Sequence, residues 1–120
     1  MKKTPLAILF VIVLLCVSCS TSRFADTQAL LPDLSGKADG VYRGDYNLSG
    51  TPVRVAVDVT VRNQHIVAIN IIQHTGSPIG RRAEVITERI IEYQSLDVDV
   101  VSGSTGSSIA ILKAVEDALQ

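Results

Sequence analysis

The chain has 120 residues, which is the size of one domain, and a formal net charge of -1 at pH 7 that gives no electrostatic reason to expect nucleic acid. Its hydrophobic fraction of 47% is raised by the N-terminus, and its only two cysteines, Cys16 and Cys19, cannot supply a disulfide framework, so a core has to hold the fold together. In chain order, Lys2 and Lys3 precede "PLAILFVIVLLCV", a basic n-region followed by an apolar h-region of secretory type. The run from Pro5 to Val17 is short for a membrane span, which takes roughly 20 apolar residues.

The run ends in "CVSCS". This resembles the lipobox of bacterial lipoproteins: Ser18 fills the small position, and the resemblance implies lipidation at Cys19. Cys16 stands where Leu is usual, and cleavage by ordinary signal peptidase is the alternative. The C-x-x-C spacing suggests redox or zinc chemistry elsewhere, but here both thiols sit at the edge of the membrane-directed run. Residues 1–19 are therefore expected to be a signal. Residues 20–38, a Ser, Thr, Asp, Pro and Gly mixture with little periodicity, are expected to be a flexible tether. The domain is expected over 39–120.

Within that domain "GVYRGDYNLSG" predicts a first strand near Val41 to Leu48, closed by the turn signal Ser49-Gly50. In "VRVAVDVTV", Val53, Val55, Val57, Val59 and Val61 fall on one face and Arg54, Asp58 and Thr60 on the other, as a strand with one buried face requires. "RNQH" turns and "IVAINII" returns as a third strand. "HTGSPIG" reads as a loop. From Arg81 the period becomes helical: Ala83, Ile86, Ile90 and Tyr93 form a stripe, with Glu84, Glu88, Arg89 and Glu92 toward solvent. "LDVDVV" predicts a short extended segment, and a last helix runs from about Ser107 to Leu119 with Ile111, Leu112, Val115 and Leu119 inward. The predicted class is α+β, an antiparallel meander covered by two α-helices.

The segment "VSGSTGSS" before that last helix holds five hydroxyl side chains and two glycines. The first N–H groups of a helix lack intrahelical partners and carry partial positive charge. Glycines let an anion approach them, and hydroxyls add donors, so a phosphate site is physically reasonable. A Gly-Ser turn with an N-cap accounts for the same composition, and the residues alone leave both readings open. A Walker loop is excluded, because the Gly spacing is wrong and no Lys follows the second Gly.

The segment "DVVSGSTGS", Asp99 to Ser107, is similar to the flavinylation motif D-x-x-S/T-G-A-T-x-S of the FMN-binding domain family, which includes the C and G subunits of sodium-pumping NADH:quinone oxidoreductase and the Rnf complex. "DGVYRG", "VRVAVDVTVRNQHIVAINIIQH" and "AILKAVEDAL" resemble the family's opening strand, central hairpin and closing helix, so the resemblance covers most of the chain from Asp39 onward. It implies a covalent FMN, joined by a phosphoester to Thr105, with Asp99, Ser102, Gly103 and Ser107 as the matching motif residues. Ser104 departs from the motif, where Ala is usual. "HTGSPIGRR" also lacks the H-x-E-T pattern of the larger complex subunits. The resemblance further implies a magnesium-dependent FMN transferase as modifying partner, an electron-carrying role with envelope redox partners, and no enzymatic turnover by the chain itself. With the N-terminal signal, an extracytoplasmic, membrane-anchored location is expected. Noncovalent binding of FMN or another phosphate ligand, or a non-redox envelope lipoprotein of the same fold, are the alternatives.

Other polar residues carry less. His65 and His74 are nine apart without Cys, Asp or Glu at ligand spacing, so no metal site is expected. His65 is expected in a solvent-facing turn and His74 at the start of a loop, where it could contact a flavin. Tyr93 is expected in the core, and Arg81 and Arg82 on a solvated first helical turn.

Overall fold

The computed structural model describes residues 31–120; the expected signal with Cys19, and residues 20–30 of the expected tether, lie outside the described residues. Three strands form one antiparallel sheet in the order β1-β2-β3: β1 (Gly40–Asn47), β2 (Arg54–Arg62) and β3 (His65–Thr75). The valine alternation of β2 does what a period of two demands. Val55, Val57, Val59 and Val61 are fully buried, each contributing roughly 1.5–3 kcal/mol by leaving water. Opposite them on β1 stand Tyr46, Gly44 and Tyr42. The β2–β3 hairpin turns through Asn63 and Gln64, both left-handed at φ 49° and 63°, the pair of positive angles that a two-residue type I′ turn needs.

Two helices cover one face of this sheet, in keeping with the α+β expectation. A 3-10 segment (Gly80–Val85) leads directly into α1 (Ile86–Tyr93), and α2 (Thr105–Leu119) closes the chain. Ala83, Ile86 and Ile90 are buried as the stripe predicts. Tyr93 is not: it is 66% exposed. The 3.6-residue stripe continues four residues after Ile90 at Gln94, which ends α1 in a left-handed conformation with φ 48°. The Gln94 amide faces β3, where its Oε1 accepts from the Ile66 N–H at 2.9 Å and its Nε2 donates to the Ile66 carbonyl at 2.8 Å.

α2 lies so close to β1 that a Cβ on Gly44 would collide with the Ala114 carbonyl oxygen and the Ala118 nitrogen. From α2, Ala110, Ile111, Ala114, Val115, Ala118 and Leu119 are buried, whereas Leu112, expected inward, is only partly buried. "LDVDVV" forms no strand. On the outer sheet face Arg43 grips Asp58 with two hydrogen bonds of 2.8 and 3.0 Å, and these hold the Asp58 carboxyl below its usual range.

The folded body reaches upstream of Asp39. Leu34 is 7% exposed within the core and Leu31 packs against it. The Ser35 carbonyl accepts from the Gln64 side chain at 3.1 Å, and the Lys37 ammonium sits 4.5 Å from the centre of the Tyr42 ring. The expected tether over 20–38 is thus corrected for its last eight residues. Leu31 and Leu34, three positions apart, dock a segment whose polar composition reads as linker.

Candidate functional site

β3 carries two bulges. Val57 pairs with Ile71 but Ala56 with Gln73, and Thr60 pairs with Ala68 but Val61 with Ile66. Ile72 and Val67 are therefore extra residues and stand exposed. Each bulge reverses the in–out parity of the strand. The one at Ile72 turns His74 inward, opposite the buried Val55. His74 belongs to β3 rather than to a loop, and its side chain is 4% exposed. Its Nδ1 lies 2.9 Å from Glu84 Oε1, and its Nε2 lies 3.2 Å from Ser107 Oγ. His65 opens β3 as an exposed residue, its Nδ1 2.8 Å from the Asn63 carbonyl.

The turn before α2 is drawn together by its own hydroxyls. The Ser104 N–H donates to the Val101 carbonyl at 2.9 Å, closing a four-residue turn whose third residue, Gly103, has φ 80°, a conformation glycine adopts without strain. The Ser104 hydroxyl donates to the Ile79 carbonyl at 2.6 Å and so ties the turn to the loop before the 3-10 segment. The Ser108 hydroxyl donates to the Ser104 carbonyl at 2.7 Å and accepts from the Val101 N–H at 3.0 Å. Ser104, Ser107 and Ser108 are all buried. Ser102, Gly103 and Thr105 are exposed, and none of these bonds uses the Ser102 or Thr105 hydroxyl. Asp99 is exposed too; its carbonyl accepts from Arg89 Nη1 at 2.8 Å. Of the six motif positions, Ser102, Gly103 and Ser104 lie in the turn, Thr105 and Ser107 in the first turn of α2, and Asp99 upstream; only some face outward.

α2 starts at Thr105, two residues before the expected Ser107, with Ser104 at the N-cap position. Ser104 makes no side-chain capping bond, because its hydroxyl is committed to Ile79. The first-turn N–H groups of a 15-residue helix therefore lack a side-chain cap beside an outward hydroxyl, an arrangement suited to a phosphate. Leu48 lies against this turn: a Cβ on Gly106 would sit 3.1 Å from its Cδ2. Leu48 also lines an open hollow of about 490 Å³ shared with Val53, Arg54, Gln73 and Thr75. That volume falls within the usual range for small-molecule sites, roughly 300–1,000 Å³.

Sequence reasoning missed two residues here: Ser108 was not singled out, and the inward turn of His74 depends on a bulge that has no signal in the Ile-rich strand. Glu84, read as solvent-facing, has a side chain that is 44% exposed while it also meets His74.

Fold and turn together define a small α+β module that presents a phosphate-ready helix mouth beside an outward threonine. Over residues 49–120, more than half of the chain, it matches the FMN-binding domain, and the chain belongs to that family. FMN is accordingly its cofactor class. The chain is also 37% identical over 84 residues to an uncharacterized protein of Treponema pallidum (strain Nichols), a match that covers 68% of this chain and 23% of that protein. The chain thus aligns with about a quarter of that relative's length.

Proposed function

We propose that this protein is an extracytoplasmic electron carrier whose FMN is joined through a phosphoester to the Thr105 hydroxyl. The observation that carries the reading is the division of hydroxyls in the turn. Ser104, Ser107 and Ser108 are buried and hydrogen-bonded, whereas Thr105 faces solvent at the first position of α2. An acceptor for a transferase has to be outward, and of the two exposed hydroxyls only Thr105 stands at the uncapped helix mouth.

In the attachment step the Thr105 oxygen bonds to the FMN phosphorus of FAD and the phosphoanhydride bond breaks. AMP leaves, and the hydroxyl proton passes to a base of a magnesium-dependent FMN transferase. The chain's own part is to hold the acceptor outward and to place uncapped N–H groups beside the resulting diester. The helix dipole favours that single negative charge by about 0.3–1 kcal/mol. When bound, the flavin supplies the one- or two-electron chemistry. Leu48, Val53 and the rest of the hollow beside Gly106 offer it a partly apolar wall. A lipid on Cys19 would anchor the carrier beside membrane redox partners, and a covalent link would keep the cofactor where the cytoplasm cannot replace it.

The test is intact mass and in-gel fluorescence of the full chain co-produced with an FMN transferase. Flavin should stay with the denatured polypeptide of the wild type and be absent from Thr105→Val, which keeps the β-branched bulk. Because Thr105 is exposed, the variant's stability should change by no more than about 0.5 kcal/mol. Flavin released on denaturation would establish noncovalent binding instead. A colourless wild type would favour a non-redox lipoprotein, and flavin retained covalently by Thr105→Val would refute the assignment.

A further inference from the structure

We propose that His74 is the positioning residue for modification of Thr105, acting through Glu84 and Ser107. The inference rests on the Thr105 reading and extends it to residues outside the motif.

The three groups take one order of hydrogen bonds in this proposal. With a carboxylate that only accepts at Glu84, a ring carrying one proton holds it on Nδ1, 2.9 Å from Oε1. Nε2 is then the acceptor, and the Ser107 hydroxyl, 3.2 Å away, donates to it. A serine, a histidine and a carboxylate in this order form the relay of a hydrolase. Here the relay ends in the wrong place for hydrolysis. Ser107 is 5% exposed, and a Cβ on Gly80 would lie 2.5 Å from its Oγ, so glycine at 80 makes room for the hydroxyl and leaves none for a substrate.

What the relay does instead is anchor a helix. Ser107 is the third residue of α2 and Thr105 the first. At about 100° per residue their side chains diverge by about 200°, so fixing one hydroxyl inward sets the direction of the other outward. The anchor matters because the Ser104 side chain does not cap this helix. It also joins three elements at one point: β3 through His74, the 3-10 segment through Glu84, and α2 through Ser107. The bulge at Ile72 brings His74 to that point.

Two amide variants separate positioning from bulk stability. His74→Gln reaches the Nε2 position and keeps an acceptor for Ser107. His74→Asn reaches only toward Glu84. The full chain and its variants are loaded by an FMN transferase with FAD, and initial rates are read by intact mass alongside thermal melting of each variant. A displaced acceptor slows such a step by about tenfold or more, so His74→Ala and His74→Asn should load at a tenth of the wild-type rate or less, while His74→Gln stays within about threefold. Nitrogen-15 NMR of the wild-type imidazole should show the proton on Nδ1 and an acceptor at Nε2. Equal loading by the Gln and Asn variants, wild-type loading by His74→Ala, or a proton on Nε2 each overturns the proposal. A wild type modified elsewhere than Thr105 overturns the underlying reading as well, and peptide mapping distinguishes that failure from the others.

Discussion

Ser108→Ala is the sharpest probe of how the turn is built. Ser108 is fully buried, and its hydroxyl makes two bonds across the turn, one to the Ser104 carbonyl at 2.7 Å and one from the Val101 N–H at 3.0 Å. The two losses are unequal. The Ser104 carbonyl keeps the Ser108 N–H at 2.9 Å, so it retains a partner. The Val101 N–H loses the bond that holds residues 99–104 against the helix. Stranding a polar group costs about 1–3 kcal/mol when it is fully shielded from water. Val101 is half-buried, so a cost of about 1–2 kcal/mol is expected after partial solvation. In a body of this size that lowers Tm by roughly 4–15 °C. Thermal melting gives the stability, and hydrogen exchange at the Val101 amide reports the bond itself. Ser102→Ala, at an exposed hydroxyl, is the control and should stay within about 0.5 kcal/mol. A Ser108→Ala protein that melts with the wild type and keeps its Val101 amide protected would refute the account of the turn.

Gly44→Ala should cost roughly 1–3 kcal/mol or more in urea unfolding, because the new methyl meets the backbone of α2 at Ala114 and Ala118 rather than a movable side chain. Ser104→Ala restores the residue usual in the motif and removes the bond to the Ile79 carbonyl; a loss of about 0.5–1.5 kcal/mol is expected by thermal melting, with covalent flavin still present on Thr105 by peptide mapping.

The strands were legible because their signals are local. Alternate valines specify the buried face of β2, and Asn-Gln between β2 and β3 accepts the two left-handed angles of a tight hairpin. Helix phase was less legible. The stripe of Ala83, Ile86 and Ile90 holds through the 3-10 segment and slips only at the end of α1, where it continues four residues on at Gln94, and a half-buried amide took the place expected for an aromatic ring. The bulges were illegible for a stronger reason. "IVAINII" is apolar on both parities, so the sequence contains no alternation to break, and only pairing with β2 decides that Val67 and Ile72 are the residues left out. His74 depends on that decision, which is why a side chain read at the mouth of a loop stands in the core.

The motif itself was legible as a string, but the roles within it come from backbone accounting. The segment between α1 and α2 has no ladder to satisfy its N–H and C=O groups, and buried backbone groups need partners. Serine hydroxyls supply them at Val101, Ser104 and Ile79. Ser107 and Ser108 stand on the helical face continued by Ile111, Ala114 and Val115, all buried. Thr105 begins the face continued by Ile109, Leu112 and Glu116, where exposure returns. A hydroxyl count near a helix mouth is thus a poor guide to how many hydroxyls do chemistry: here three are structural and one faces outward where the helix is uncapped. The two kinds of position should respond oppositely to substitution. Buried serines should lower stability when replaced, with covalent flavin kept wherever Thr105 stays outward; Thr105 should lose the flavin while the fold stands unchanged. Under the proposed attachment by a transferase that separation is needed, because the acceptor has to be reached without opening the turn that holds it.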